Sequence, residues 1–220
     1  SSKNPLLVSV RSGAQQSMPG MMETVLNVGL TNKTLEGLIQ NTNNKRFAYD
    51  SYRRLIMMFA DVVMDKSNEL ECNIRAQLEK ILQQLKTSKQ LTDDRKISAK
   101  DYQKLCFQFK LHIKKILNLE FPNDPYIQLW ESIDAVFKSW NGKRAKEYRK
   151  IEHISESLGT AVNIQAMVFG NMGQGSATGV AFTRNPSTGE NIFFGEWLPN
   201  AQGEDVVAGI RTPQYITKKA

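Results

Sequence analysis

The first hydrophobic pattern in the chain is a short apolar run at residues 6–10 that ends in small residues. Such a run, rich in valine and leucine, predicts a buried strand over residues 6–14 with Arg11 near its end. Pro19 and Gly20 then interrupt the pattern, and residues 21–30 are predicted to start a helix. An arginine fork, a glycine turn and the free amides of a helix N-terminus would together favour a bound phosphate.

A helical pattern occupies residues 31–119. Apolar residues recur three and four positions apart and form two faces. The two faces contain Phe47, Tyr52, Leu55, Ile56, Phe59 and Val63, and Leu70, Ile74, Leu78, Ile81 and Leu85. Ser98, with Asp101 in the first turn, is predicted to cap a further helix. We expect a small bundle without a cluster of catalytic residue types, in which His112 is half-buried or on the surface and Arg53, Arg54, Lys114 and Lys115 are solvated.

The pattern returns to strands after two more helices. Asp124 and Pro125 predict one helix start, and residues 143–151 predict a short helix. Residues 161–169 alternate as a strand does, and the glycine-rich residues 171–179 lead into another strand at 180–183. A strand after the glycines argues against a dinucleotide fingerprint and favours a hairpin. With a further strand at 191–197, the helices are predicted to be inserted between the strands of one α+β domain.

Composition limits the function classes. The chain has 220 residues and a net charge of +7. Its lysines are scattered, which favours a solvated surface, although a nucleic-acid site or a pocket for a polyanionic nucleotide is compatible with the charge. Cys72 and Cys106 are too few for a zinc motif or a disulfide framework, so we expect two free thiols and a cytoplasmic location. The chain lacks a leader and a long apolar run, so we expect neither secretion nor membrane insertion.

Several strings in the sequence resemble the nucleotide-binding domain of the pyruvate, phosphate dikinase family. These strings are SVRSGA at 9–14, SMPGM at 17–21, FAYDSYRR at 47–54, GVAFTRNPSTGE at 179–190 and QGEDVVAGIRTPQ at 202–214. The resemblance runs from end to end and is weakest at residues 67–100. The strings differ from those of phosphoenolpyruvate synthase and rifampin phosphotransferase, which share the fold.

The resemblance implies an α+β, partial ATP-grasp-type nucleotide-binding domain with an inserted helical subdomain. Residues 1–30 would carry the phosphate-binding strand and glycine loop, residues 31–119 the insertion, and residues 120–220 the return helices, the adenine hinge and the glycine-rich hairpin. Arg11, Gly20 and Thr24 would contact the ATP phosphates, with Arg11 also the catalytic residue. The hinge against adenine would contain Gln165, Met167 and Val168. Glu204 and Arg211 would lie near the site, although Arg211 could equally make a structural salt bridge.

The resemblance also implies parts that these 220 residues do not include. The family's magnesium-binding Asp-x-Glu pair and its Gln-x-Arg follow the region of residues 212–214, so metal ligands are expected beyond Ala220. A preceding segment would supply a lysine, and further domains would carry a phosphohistidine and bind pyruvate. The parent would be a homo-oligomer that converts ATP, phosphate and pyruvate to AMP, pyrophosphate and phosphoenolpyruvate. Two alternatives stay open: a related phosphoenolpyruvate synthase or glucan dikinase, and a non-enzymatic basic helical binding module.

Overall fold

The computed structural model describes residues 1–207, 209 and 211–217. The chain divides into two compact units, Ser1–Met167 and Val168–Ala220, and each is described by itself. The strands of the first unit are β1 (Val8–Gly13), β2 (Thr24–Val28) and β3 (Ala161–Ala166). Its helices are α1 (Asn32–Thr42), α2 (Lys45–Phe59), α3 (Ile74–Ser88), α4 (Ala99–Leu117), α5 (Pro125–Ser139) and α6 (Lys143–Ile151).

The sheet of the first unit is antiparallel, with the strand order β2-β1-β3. The chain leaves the sheet after β2, forms the helices and returns as β3 on the other side of β1, as expected for helices inserted between strands. Val10 and Val25 are opposite each other and wholly buried. Helices α2 and α5 pack on this sheet, so the valines are part of the core that fixes β1 and β2.

The helix predicted to begin at residue 21 is wrong, because this segment is strand β2. Thr24, Val25 and Val28 are β-branched, and such residues suit a pleated, half-buried surface better than a helix. Asn27 has a φ of 62°, which a right-handed helix does not tolerate. The register between β1 and β2 shifts between Val8 and Val10, and this irregularity accommodates the turn of the backbone at Asn27.

The inserted helices follow the apolar pattern closely. The residues of the first predicted face lie in α2 and in the π-helical segment Ala60–Asp65 that continues it, and all are buried. Of the second face, Leu70 lies before α3 and is 42% exposed. The predicted caps are confirmed: Ser98 Oγ accepts from the Asp101 N–H at 3.2 Å, and Asp124 Oδ1 accepts from the Tyr126 and Ile127 N–H groups. His112 is half-buried and lies 2.8 Å from Gln77 Oε1.

The expectation that Arg53 and Arg54 are solvated is wrong. Both form ion pairs with the buried carboxylate of Asp50, which lies three positions before Arg53 and four before Arg54 on the same helix. The Arg53 guanidinium also lies 5.6 Å from the ring centroid of Tyr102, which joins α2 to α4. Burial alone would raise the pKa of the Asp50 carboxyl, but the two guanidinium groups outweigh this effect and hold the pKa below its usual range.

A second buried carboxylate begins helix α3. Asp65 is 2% exposed, and its two oxygens accept from the backbone N–H groups of Cys72 and Ile74, each at 2.9 Å. Asn73, the residue before the helix, provides no side-chain cap. The first amide of α3 and the amide of Cys72 before it are therefore satisfied by a residue from the end of the π-helical segment.

The second unit contains β4 (Ala177–Phe182), β5 (Phe194–Pro199), β6 (Gln214–Tyr215) and the short helix α7 (Gly203–Val207). Its sheet is antiparallel in the order β4-β5-β6. The hairpin predicted to join residues 161–169 to 180–183 is wrong, because β3 pairs with β1 and β4 pairs with β5. A glycine-rich connection indicates a turn but does not identify the strands that pair.

Both cysteines are free thiols, as expected. Cys106 is buried in α4, and burial raises the pKa of its thiol to about 12, so it is almost entirely protonated at neutral pH. Cys72 lies before α3 rather than in a helix and is half-buried. Across residues 1–207, 209 and 211–217, no helix is long and apolar enough to cross a membrane.

We expect Asp50→Asn to lower the free energy of unfolding by about 3 kcal/mol at pH 7, because the buried guanidinium of Arg53 and the half-buried one of Arg54 lose a shared counter-charge. The folded-state pKa of Asp50 is lowered, so its contribution is present above the unfolded pKa of about 3.9 and is lost as pH falls through the folded pKa. The difference between wild type and variant should thus be constant from about pH 5 to 8 and shrink below about pH 4. Denaturant unfolding at several pH values measures it.

The matched control is Asp134→Asn. Asp134 pairs with Lys138 at 2.8 Å with the same type of carboxylate, but both side chains are at least half exposed. This change should cost no more than about 0.5 kcal/mol. A loss for Asp50→Asn as small as that of the control, or one that persists unchanged into acid, would contradict the assignment.

Candidate functional site

Arg11 and Thr24, two residues predicted to contact phosphates, are opposite each other in the sheet. Arg11 in β1 pairs with Thr24 in β2 and with Asn163 in β3. Residues directly opposite in antiparallel strands project to the same face, with Cβ atoms about 5 Å apart. The sheet therefore forms a polar row of a hydroxyl, a guanidinium and an amide across its three strands.

The guanidinium of Arg11 is available for a ligand. The side chain is exposed, and in the part of the chain that the structure describes it makes no hydrogen bond or ion pair. Arg53, Arg54 and Arg149 in the same unit instead donate to protein groups or pair with a carboxylate. An exposed arginine on a rigid strand retains its planar set of five donors, which suits a phosphate oxygen pair.

Asn163 is a member of this row that the sequence analysis did not single out. A Cβ added at Gly13 would lie 2.7 Å from Asn163 Nδ2, so the amide occupies the space left by the missing side chain of Gly13. In the sequence, the only sign of Asn163 was its polar position in the alternating pattern of residues 161–166. Polar residues on one face of a strand are typical of any half-exposed sheet, so this sign did not identify a ligand-binding residue. The pairing with Arg11 depends on register, which the sequence did not reveal.

The loop between β1 and β2 contains the predicted glycine. Gly20 is exposed with a φ of 72°, and a Cβ there would meet nothing within 4 Å. The glycine is thus required by its left-handed backbone conformation and not by lack of space. The loop precedes a strand, so the predicted helix N-terminus does not contribute amides here. Any amide donors at this point must come from the loop itself.

The predicted adenine hinge begins in β3, which is an edge strand of its sheet. The Met167 N–H donates to the Leu7 carbonyl at 2.9 Å, which extends the pairing with the β1 segment by one residue. Gln165 is exposed, Met167 is half-buried, and Val168 is 93% exposed. The boundary between the two units falls between Met167 and Val168, so the hinge residues contain the connection between them.

Glu204 and Arg211 lie in the second unit. Glu204 is half-buried in α7. Arg211 donates from Nη1 to the Pro199 carbonyl at 3.1 Å and from Nη2 to the Asn200 carbonyl at 3.2 Å. These two bonds tie the segment around Arg211 to the end of β5, so the arginine has a structural role through backbone carbonyls rather than through a salt bridge.

Potential metal ligands are the histidine, cysteine, aspartate and glutamate side chains. Within the described residues, no group of three or more histidine, cysteine, aspartate or glutamate side chains is arranged to hold a metal ion. Glu23, the carboxylate nearest in sequence to the phosphate row, is paired with Lys66 at 3.2 Å and with Arg144 at 3.4 Å. The described residues therefore do not by themselves fit a divalent cation.

Comparison with known proteins identifies one family over the whole chain. Residues 1–220 match the family described as "Pyruvate phosphate dikinase, AMP/ATP-binding domain". The chain is 53% identical over 216 residues to the pyruvate, phosphate dikinase of Rhizobium meliloti and 52% identical over 217 residues to that of Clostridium symbiosum, in each case over 98% of this chain. It is also 53% identical over 212 residues, 96% of this chain, to the chloroplastic pyruvate, phosphate dikinase 1 of Arabidopsis thaliana.

The match covers only part of those relatives. The chain spans 23% of the Rhizobium protein, 24% of the Clostridium protein and 21% of the Arabidopsis protein. The family match therefore applies to this stretch of the relatives and does not extend to the activity of the whole proteins. The chain belongs to the family of AMP/ATP-binding domains of pyruvate phosphate dikinase.

Proposed function

We propose that this chain is the nucleotide-binding part of a pyruvate, phosphate dikinase and that the ATP phosphates lie on the row formed by Arg11, Thr24 and Asn163. The observation that carries the proposal is the unpaired guanidinium of Arg11 on a rigid strand, opposite a hydroxyl and an amide. The three side chains are suited to phosphate oxygens, and the family match supports a nucleotide as the ligand. The fold we propose for it is of the ATP-grasp type.

Each residue of the row has its own task in this proposal. Arg11 is the catalytic residue, because a fixed cation stabilises the negative charge that develops on the transferred group. Thr24 and Asn163 orient the phosphates through hydrogen bonds. The backbone of the loop at Gly20 closes over the phosphates, since glycine lets the main chain approach a ligand closely.

We propose that adenine contacts the hinge residues Gln165, Met167 and Val168. The outer edge of β3 lacks a strand partner among the described residues, so its backbone groups are available to the edge of a purine. Met167 adds apolar surface for the ring. Glu204 and Arg211 would act near the nucleotide, with Arg211 holding the end of β5 in place.

The remaining parts of the reaction belong to the parent protein. There, ATP and phosphate would react with a histidine on another domain, which leaves a phosphohistidine and releases AMP and pyrophosphate. The histidine would carry its phosphoryl group to bound pyruvate and yield phosphoenolpyruvate. We propose that this parent is cytoplasmic and homo-oligomeric. Magnesium would neutralise phosphate charge, but the described residues do not hold it, so we assign it no ligand here. In this proposal the inserted helices of residues 31–119 form a separate subdomain.

We expect Arg11→Lys and Arg11→Ala in the full-length parent to lower ATP-dependent phosphorylation of the carrier histidine about a hundredfold or more, the scale of losing one strong transition-state donor. Lysine keeps the charge but loses the planar fork. Phosphorylation of the same histidine by phosphoenolpyruvate should be unchanged, because it uses another domain. The two half-reactions are measured separately with radiolabelled substrates.

The matched control is Arg184→Lys. Arg184 is also an exposed arginine, and it lies in the string at residues 179–190 that resembles the family. Arg184 donates to the Gly189 carbonyl at 3.2 Å within its own loop, and its replacement should change the ATP half-reaction far less. The proposal is wrong if Arg11→Ala leaves that half-reaction intact, or if both half-reactions fall equally.

The basic charge provides a test of the binding-module alternative. We expect no binding of duplex DNA or RNA by the purified chain at physiological salt beyond the weak, sequence-independent level, because its lysines are scattered. Any weak binding should fall steeply as salt is added. A gel-shift titration that finds a preferred nucleic-acid sequence would favour the alternative.

A further inference from the structure

The loop between β1 and β2 has one buried side chain, Met18, which is 7% exposed. Met18 packs in a small apolar cluster with Trp140, Ala145 and Ile154. Met21 and Met22 of the same loop are partly buried and pack against this cluster. The loop thus packs against the end of α5 and against α6. We call the pair formed by Trp140 and Arg149 the platform.

The platform is stiff because Arg149 is stacked on Trp140. The guanidinium carbon lies 4.1 Å from the indole ring centroid, and Nη1 donates to the Trp140 carbonyl. Arg149 is 1% exposed, and its Nε and Nη2 have no partner within the described part of the chain. Burying a guanidinium with two nitrogens unpaired costs folding free energy. We therefore expect Arg149 to have a role under the loop that an apolar side chain would not fill.

The second half of the loop is fixed to the same two helices by polar contacts. The Glu23 N–H donates to Ser139 Oγ at 3.2 Å, and the Ser139 hydroxyl itself donates to the Val136 carbonyl of α5 at 2.7 Å. The Glu23 carboxylate pairs with Arg144 of α6 at 3.4 Å. Thr24, the first residue of β2 and a member of the phosphate row, follows directly.

The tip of the loop is an exposed turn, which the Met21 N–H closes by donating to the Met18 carbonyl at 3.1 Å. Pro19 and Gly20 are exposed, and nothing lies within 4 Å of a Cβ built at Gly20. Met18 is buried two residues before Gly20, and Glu23 is bound three residues after it. The loop therefore has two fixed ends and a short open tip between them.

We propose that Met18, Trp140 and Arg149 are positioning residues that set where the glycine tip lies over the ATP phosphates. This inference rests on the proposed function. Met18 inserts into the apolar cluster, and the stacked guanidinium keeps the indole from changing its rotamer, so the backbone at Gly20 has a narrow range of positions. Backbone donors must meet a transferring phosphate within a fraction of an ångström, and a shift of about 1 Å costs about a hundredfold in rate.

The test compares Met18→Ala with Met64→Ala in the full-length parent. Met64 is a methionine of similar burial, 4% exposed, in the π-helical segment, and it is not part of the apolar cluster that holds Met18. We expect Met18→Ala to raise KM for ATP and to lower kcat of the ATP half-reaction, each about tenfold, with the phosphoenolpyruvate half-reaction unchanged. Met64→Ala removes the same side chain and should leave KM for ATP within about twofold, since partial unfolding lowers only the active fraction.

Two further variants examine the platform itself. Arg149→Met keeps length and apolar contact but loses the stacked charge, and it should raise KM for ATP as Met18→Ala does. Met18→Leu keeps apolar volume in the cluster and should restore KM to within about twofold of wild type. If Met18→Ala does not fold, the same comparison is made between Met18→Val and Met64→Val.

The inference is wrong if the Met18 variant has the same KM for ATP as its Met64 control. Arg11→Ala, assayed in parallel, separates this result from failure of the proposed function. If Arg11→Ala abolishes the ATP half-reaction while Met18→Ala does not affect it, only the role of the platform is refuted. If neither variant affects it, the phosphate row itself is misplaced.

Discussion

The pairing of β3 with β1 is the constraint on which the candidate site depends. It runs in register from Val8 opposite Ala166 to Gly13 opposite Ala161. It joins segments that are distant in the chain, as the hydrogen bond from Ser9 Oγ to the Gln165 carbonyl, 156 residues away, shows. Only this pairing brings Asn163 beside Arg11. It also places the start of the proposed hinge on the strand next to the row of Arg11 and Thr24, so in the proposed binding mode one antiparallel ladder would hold both ends of a nucleotide.

Buried charges fix the positions of the helices around this sheet. Arg53, paired with Asp50 on the same helix, contacts Tyr102 of α4. Asp65 accepts from the first amide of α3, and Arg149 is stacked on Trp140 at the end of α5. Ion pairs of this kind contribute little net stability compared with apolar side chains of the same volume. Their geometry is specific, however, and it holds the connecting segments in single arrangements.

The amphipathic helices could be read from the sequence because their apolar residues recur at regular spacing, and Ser98 and Asp124 marked two of their starts. Strand β2 could not be predicted in this way. A five-residue segment with two methionines shortly before it fits the period of a helix or of a strand, and only its pairing with β1 decides between them. Arg53 was misjudged for a related reason: its counter-charge, Asp50, lies on the same helix, but the burial of both depends on α4. Of the site, Arg11 and Thr24 were found through resemblance, whereas Asn163 required the register.

The distance along the chain between β1 and β3 also has a consequence during synthesis. A ribosome adds roughly 5–20 residues per second, so β1 and β2 emerge roughly 7–30 s before the strand that completes their sheet. Until then the open edge of β1 exposes unpaired backbone groups, which favours pairing with another nascent chain. The inserted helices make mostly local contacts, which form quickly, and α2 and α5 can cover one face of the hairpin before β3 arrives. The insertion thus shelters an incomplete sheet while the rest of the domain is being made.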